Sequence, residues 1–200
     1  MFDEPFRARF SPVLRPLVPP LARSGITPTH VTVATFVLGI AAAMCIANGL
    51  TIVGLATWLT SRVGDALDGL LARETNQSTA FGGYLDITLD MAAYAAMAIG
   101  FAVLHPAFGV AWAMVLAGYV LVITTTLALS DAAGTLGRQV SATDRTFQFT
   151  PGFAEAGETN TMYVIWVLFP AHMGWLVWAW IAVLFATAIQ RTYRAWRVLR

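Results

Sequence analysis

Four aspartates lie within or beside apolar stretches of this 200-residue chain: Asp65, Asp68, Asp86 and Asp90. A charged carboxylate inside a membrane is costly unless a partner or a cation neutralises it. Asp65 and Asp68 are three positions apart and Asp86 and Asp90 are four apart, so each pair shares one face of a helix. Because carboxylate oxygens suit hard divalent cations, the pattern predicts a site for two Mg²⁺ or Mn²⁺ ions that leaves positions open for phosphate oxygens. A proton or cation pathway is the alternative that these residues leave open.

The composition of the chain is that of a membrane protein. Hydrophobic residues make up 58% and charged residues 12%, whereas a soluble domain carries about 25% charged side chains. The net charge of +1 gives no indication of a nucleic-acid partner. The single cysteine, Cys45, can form no intrachain disulfide. We therefore expect one polytopic membrane domain over residues 1–200.

The hydropathy pattern predicts an all-α fold, with six transmembrane helices preceded by an amphipathic interfacial helix. Residues 1–25 place arginines among apolar residues at helical spacing, which predicts a helix lying in the membrane interface. The alternative interpretation of this segment is a frayed tail broken by Pro12, Pro16, Pro19 and Pro20. The six apolar stretches that predict spans are 31–48, 51–71, 79–104, 108–129, 159–169 and 173–189. Residues 130–158 form the one long polar connection.

The distribution of arginine predicts the orientation of these spans. If the amino terminus is cytoplasmic, the outer links near residues 49–50, 105–106 and 170–172 contain no arginine. Only Arg62 lies inside a predicted span. This positive-inside pattern places both termini, the 130–158 loop and the aspartates on the cytoplasmic side of a bacterial inner membrane.

The aspartates of the second and third predicted spans are expected to meet. The short link over residues 73–78 makes these spans antiparallel neighbours, and a rise of about 1.5 Å per residue puts both aspartate pairs at nearly one depth. Small residues surround the pairs, and either helix packing or room for a bulky ligand explains them. They are Gly64, Gly69, Ala72, Gly82 and Gly83.

The same residues form a recognisable signature. They read Asp65-x2-Asp68-Gly69-x2-Ala72-Arg73-x8-Gly82-x3-Asp86-x3-Asp90. This resembles the motif of the CDP-alcohol phosphatidyltransferase family at each fixed position, and the six-span plan with an amphipathic amino-terminal helix is also similar to that family. The resemblance implies a metal-dependent enzyme of phospholipid synthesis that forms homodimers. It would move a phosphatidyl group from a CDP-alcohol, with CDP-diacylglycerol the first choice, to an alcohol acceptor and release CMP.

Two other functions compete with that reading. Within the class, a CDP-linked head group would be transferred to a lipid alcohol. Outside the class, the intramembrane aspartates would serve a cation or proton transporter. A transporter needs a polar path to the other membrane face, and the outer halves of the predicted spans contain no charged residue.

The resemblance also implies roles for individual residues. Asp65, Asp68 and Asp86 would be metal ligands, while Asp90 would complete the shell of the second metal and act as general base. The implied contacts to the CDP group are Gly69, Ala72, Arg73, Thr79 and Gly82. The family often has Thr-Pro-Asn ahead of the first span where this chain has Thr27-Pro28-Thr29, so Thr29 would supply a hydroxyl in place of the amide.

Several residues of the sequence are candidates for binding the acceptor. A phosphate-bearing acceptor calls for arginines, for which Arg138, Arg145 and Arg191 are candidates; positive-inside anchoring is the alternative. Glu155 and Glu158 are candidates for recognising a cationic or polyol head group. They are equally explained as acids favoured by the dipole at the start of the fifth span.

Overall fold

The computed structural model describes residues 12–136 and 152–200, and every regular element in those two ranges is helical. The predicted all-α fold is confirmed. Residues 12–14 are α-helical, and seven further α-helices follow in the described residues: α1 (Val18–Arg23), α2 (Pro28–Ala47), α3 (Thr51–Glu74), α4 (Ala80–Leu104), α5 (Gly109–Thr135), α6 (Ala156–Leu168) and α7 (Met173–Leu199). Short 3₁₀ helices at Arg15–Leu17, Pro106–Phe108 and Pro170–His172 precede α1, α5 and α7.

The described residues fall into two compact units that divide between residues 107 and 108. The first unit contains α1 to α4 and the second contains α5 to α7. All four aspartates of the signature belong to the first unit. That residues 1–200 form one membrane domain stays a prediction.

Four segments of the described chain are long and apolar enough to cross a membrane: Pro28–Ala47, Ala80–Leu104, Pro106–Thr135 and Pro170–Leu199. The other two predicted spans correspond to α3 and α6. The 24 residues of α3 include several charged side chains, and the 13 residues of α6 rise about 20 Å against a hydrocarbon core of about 30 Å. The count of six spans therefore stays a prediction.

Two helices continue past the ends that hydropathy predicts. α5 runs to Thr135, so the first residues of the predicted 130–158 loop are helical, and α7 runs to Leu199. The predicted spans end at residues 129 and 189 while the helices continue, because polarity ends an apolar run without ending a helix. Good helix formers such as Ala132 and Ala133 and the arginines of α7 continue the backbone hydrogen bonding.

The amino-terminal segment packs on the end of α3. Leu14 and Val18 form a buried cluster with Leu70 and Leu71 of that helix. The Arg15 Nε donates to Glu74 Oε1 at 2.5 Å. The predicted interfacial helix over residues 1–25 thus includes the helical turns seen from Pro12 to Arg23, and residues 1–11 lie outside the described residues.

Helix α2 packs closely against both α3 and α4. A Cβ atom added at Gly39 of α2 would lie 3.0 Å from the Ala93 side chain on α4 and 3.6 Å from Trp58 on α3. The backbones of α3 and α4 themselves approach closely at few points. The sequence predicts that α3 and α4 are direct neighbours. In the structure α2 packs against both helices, and the contacts between α3 and α4 are made mainly by side chains.

Candidate active site

The connection between α3 and α4 fixes the positions of the aspartates that each helix carries. Asn76 has φ of 53°, a left-handed conformation that asparagine tolerates better than most residues. Thr79 then caps α4, since its Oγ1 accepts the Gly82 N–H at 3.0 Å. The chain therefore reverses between Glu74 and Ala80, and the carboxylates of α4 return to the level of those on α3.

Three carboxylates meet at that level. Asp65, Asp68 and Asp86 each place an oxygen so that the three atoms lie within 4.8 Å of one another. Asp68 is 5% exposed, and the other two are partly buried. Three carboxylates this close repel one another strongly in a low dielectric unless a cation compensates. A donor set made only of oxygen atoms fits a hard divalent cation such as Mg²⁺ or Mn²⁺.

A residue of α2 fixes the orientation of Asp68. The hydroxyl of Thr32 donates to Asp68 Oδ2 at 2.7 Å, and both side chains are buried. Such a partner restricts the carboxylate to one rotamer and satisfies one of its oxygens. No sequence pattern points to Thr32, because it lies 36 positions from Asp68 and threonine is common in apolar helices.

Asp90 has a different partner. Its Oδ1 accepts from Arg62 Nη1 at 2.6 Å, and Asp90 is not part of the group of three. The Arg62 side chain is 10% exposed and the Asp90 side chain 29%. Arg62 has no assigned role in the sequence analysis. The available signal was its position inside a predicted span, where an arginine calls for a counter-ion.

The predicted CDP contacts lie at helix ends on one side of the α2–α4 group. Thr29 is exposed in the first turn of α2, Ala72 and Arg73 lie in the last turns of α3, and Thr79 begins α4. The short links between these helices bring the three ends to the same side. The assignment of these residues to CDP stays a prediction.

The small residues near the aspartates have different surroundings. A Cβ atom at Gly64 would clash with the methyl group of Thr35, so helix packing explains that glycine. At Gly69 the added atom would lie 3.3 Å from the Arg73 guanidinium. At Gly82 it would meet only Thr79 Oγ1, at 3.1 Å. The space beside Gly82 is therefore open, as a ligand next to α4 would require.

The second unit contains a buried arginine. Arg191 of α7 is 4% exposed, and its Nη1 donates to the Val122 carbonyl at 2.9 Å and to Thr126 Oγ1. Its buried Nε–H has no hydrogen-bond partner in the part of the chain that the structure describes. A Cβ atom at Gly152 would lie 3.2 Å from this Nε, so glycine lets the backbone pass beside the guanidinium. The other two acceptor candidates among the arginines, Arg138 and Arg145, lie outside the described residues.

The two candidate glutamates take part in the start of α6. Glu158 Oε2 accepts the backbone N–H of Glu155 at 3.1 Å. Glu155 Oε1 accepts the backbone N–H of Gly152 at 2.8 Å. This geometry supports the reading that the acids stabilise the helix start. Their predicted role in recognising an acceptor stays untested.

Comparisons with known proteins show which proteins the chain resembles. The sequence model of the CDP-alcohol phosphatidyltransferases matches residues 25–189. The inner membrane protein YnjF of Escherichia coli is 31% identical over 206 residues, which cover 100% of this chain and 98% of that protein. An archaetidylinositol phosphate synthase of Methanothermobacter thermautotrophicus is 29% identical, with 99% of this chain and 98% of that enzyme covered.

A solved structure shows the same fold. The phosphatidylinositol phosphate synthase of Mycobacterium tuberculosis, in complex with manganese and citrate, superposes with a TM-score of 0.73 at 22% identity, covering 92% of this chain and 88% of that one. The same enzyme with CDP-DAG bound gives a TM-score of 0.68. The family match extends over the whole signature from Asp65 to Asp90 and over most of the chain. The chain is therefore a member of the CDP-alcohol phosphatidyltransferase family.

Proposed function

We propose that this protein transfers the phosphatidyl group of CDP-diacylglycerol to a hydroxyl of a small alcohol and releases CMP. The observation that carries the proposal is the cluster of Asp65, Asp68 and Asp86, with Asp90 one turn further along α4. Membership of the family supports the reaction class. The related mycobacterial enzyme with CDP-DAG bound supports the choice of donor.

The carboxylate cluster fits the metal that this reaction needs. Asp65, Asp68 and Asp86 would hold Mg²⁺ or Mn²⁺, with Asp90 as a further ligand of a second ion. Divalent cations bound there would neutralise the negative charge of the diphosphate as the CMP oxygen leaves. Manganese in the structure of the mycobacterial relative supports this assignment.

The protein's own residues supply the proton transfer and the binding of the nucleotide. Asp90 accepts the proton of the acceptor hydroxyl on a carboxylate oxygen, while the hydroxyl oxygen attacks the phosphatidyl phosphorus and the bond from that phosphorus to the CMP oxygen breaks. Arg73 would contact the phosphates of the CDP group, and the open space at Gly82 would admit the nucleotide beside α4. This single displacement needs no covalent enzyme intermediate.

We infer that the acceptor carries a phosphate group. Arg191 supports this inference, because a buried guanidinium held by neutral oxygens, with an unpartnered Nε–H among the described residues, favours an anion. Relatives named as synthases of archaetidylinositol phosphate and of phosphatidylinositol phosphate support it as well, since those products contain a phosphorylated polyol. Arg138 and Arg145 are the further arginines predicted from the sequence.

The proposal includes an orientation and an assembly. Both termini and the aspartates would face the cytoplasm, as the arginine distribution predicts, and two copies would form a homodimer, as the family resemblance implies. Labelling of single cysteines placed at residues 3 and 198 in sealed inner-membrane vesicles tests the orientation. Chemical crosslinking in the same membranes tests the dimer.

The reaction is tested with purified protein in lipid nanodiscs. CDP-diacylglycerol is offered with inositol, inositol phosphate, glycerol and glycerol phosphate, and a second series offers CDP-linked polyols with diacylglycerol. We expect CMP and a new phospholipid in the first series, with a phosphorylated acceptor preferred. EDTA should stop turnover, and Mg²⁺ or Mn²⁺ should restore it. The absence of CMP release from CDP-diacylglycerol with every acceptor would refute the proposal, and product formation only in the second series would favour the competing transfer.

A further inference from the structure

Arg62 is a mostly buried charged residue in the middle of α3, and its contacts are well defined. The guanidinium Nη1 donates to Asp90 Oδ1 at 2.6 Å, and Nε donates to Ser61 Oγ at 3.2 Å. The side chain is 10% exposed. Because a buried guanidinium is costly unless it is paired and hydrogen-bonded, this arrangement calls for an explanation beyond packing.

Two aromatic rings confine the guanidinium. Its central carbon lies 4.4 Å from the ring centroid of Trp58 and 5.3 Å from that of Tyr94. These two rings pack edge to face at 5.1 Å, and both residues are buried. Trp58 and Arg62 lie one turn apart on α3, and Asp90 and Tyr94 lie one turn apart on α4. The planar cation is therefore held by ring contacts as well as by its ion pair.

This pairing leaves the two oxygens of Asp90 in different states. Oδ1 is bound to Arg62, and no other hydrogen bond to Asp90 is seen among the described residues. The Asp90 side chain keeps 29% of its surface exposed. One oxygen of the proposed base is thus fixed in place by Arg62, while part of the Asp90 side chain stays exposed.

We propose that Arg62 is a positioning residue for the transfer, an inference that rests on the function proposed above. By holding Oδ1, Arg62 orients the Asp90 carboxylate so that Oδ2 receives the proton of the acceptor hydroxyl. The same pairing places a positive charge beside the cluster of Asp65, Asp68 and Asp86. Arg62 therefore favours the proton transfer and weakens, without preventing, the binding of cations at the cluster.

These two effects predict opposite responses to the loss of the charge. In Arg62→Met, Asp90 is no longer oriented, and we expect kcat to fall about 100-fold with the KM for the donor little changed, because a misplaced catalytic group costs that much. Mn²⁺ should bind at least about threefold more tightly, because a nearby positive charge has been removed. A variant that merely loosened the fold would lower both quantities.

Three variants in nanodiscs test the inference: Arg62→Met, Arg62→Lys and, as a matched loss of charge at an exposed position of α7, Arg197→Met. Steady-state kinetics give kcat and KM, and the electron paramagnetic resonance signal of free Mn²⁺ gives binding without substrate. Lysine keeps the charge and loses the planar ring contacts. Arg62→Lys should therefore recover part of kcat and keep the Mn²⁺ affinity of the unsubstituted protein. Arg197→Met should change neither quantity.

The outcomes separate this inference from the proposed function. If the unsubstituted protein releases no CMP from CDP-diacylglycerol, the proposed function fails, whereas the Mn²⁺ titrations still show whether Arg62 opposes cation binding. If the unsubstituted protein is active and Arg62→Met keeps kcat within about twofold, the positioning role is refuted. A fall in Mn²⁺ affinity together with kcat and thermal stability would assign Arg62 a structural role and would overturn the inference as well.

Discussion

The helices α2–α4 and the helices α5–α7 handle buried charge in opposite ways. The first group brings together Asp65, Asp68 and Asp86 and pairs Asp90 with Arg62. The second group buries Arg191 against neutral oxygens, and no ion pair to that arginine is present in the described ranges. An excess of negative charge suits divalent cations, whereas an isolated guanidinium suits an anion.

The two groups also differ in how far apart in the sequence the residues of each site lie. The aspartates lie within 26 consecutive residues, 65–90, on two helices joined by a tight reversal. The partners of Arg191 are 65 and 69 positions away in the chain. If the proposed function is correct, changes in the first group should alter the chemical step, and changes around Arg191 should alter acceptor binding.

The largest effect is expected from removal of the proposed base. Asp90→Asn should lower kcat by about 10³-fold, because an amide cannot take the proton of the acceptor hydroxyl. Mn²⁺ should still bind to the three remaining carboxylates. Asp68→Asn is the matched comparison, and it should lose both Mn²⁺ binding and turnover. CMP release and Mn²⁺ titration measure the two responses, and an active Asp90→Asn protein would exclude Asp90 as the base.

Arg191→Gln tests the other side of the comparison. The KM for a phosphorylated acceptor should rise about 10- to 100-fold, since a hydrogen bond to a charged group is worth about 1.5–3 kcal/mol. The KM for CDP-diacylglycerol and kcat at saturating acceptor should change little. Arg191→Lys keeps the charge, and its KM for the phosphorylated acceptor should lie between those of Arg191→Gln and the unsubstituted protein. Equal losses with phosphorylated and unphosphorylated alcohols would contradict a role in anion binding.

A smaller effect is expected at the hydroxyl that orients Asp68. Thr32→Val preserves the shape of the side chain and removes the donor to Asp68 Oδ2. Loss of such a ligand partner lowers metal affinity by about tenfold or somewhat more. Thr57→Val is the control, because the Thr57 hydroxyl donates to the Val53 carbonyl of its own helix. Equal Mn²⁺ affinities of the two variants would show that Thr32 has no part in the metal site.

The smallest effect on catalysis is expected at the start of α6. Glu158→Ala removes the acceptor for the Glu155 N–H and should lower the free energy of unfolding by about 1 kcal/mol. Glu158→Gln keeps an acceptor oxygen and should restore most of that stability. Thermal unfolding measures the stability of both variants, and steady-state kinetics measures their acceptor KM. An increase in the acceptor KM without loss of stability would instead support head-group recognition by Glu158.

The sequence alone was sufficient to predict the helical class and the meeting of Asp65, Asp68 and Asp86 at one level. That success has a physical cause, because helical periodicity and a short reversal are local properties of the chain. The fourth aspartate, Asp90, is paired with Arg62. Arg62 was visible as an arginine in a predicted span, but its pairing with Asp90 depends on the distance between α3 and α4, which α2 sets. Thr32 and the partners of Arg191 depend on tertiary packing, so no local pattern reveals them.

The continuity of the α2–α4 group has a consequence for biosynthesis. Residues 28–104 contain the four aspartates, Thr32 and Arg62 in one uninterrupted stretch. Translation proceeds from the amino terminus and early segments fold first. The ribosome has therefore synthesised all of these charged and polar residues before it begins α5. A nascent chain can neutralise Asp90 and tether Asp68 without waiting for its carboxyl-terminal half.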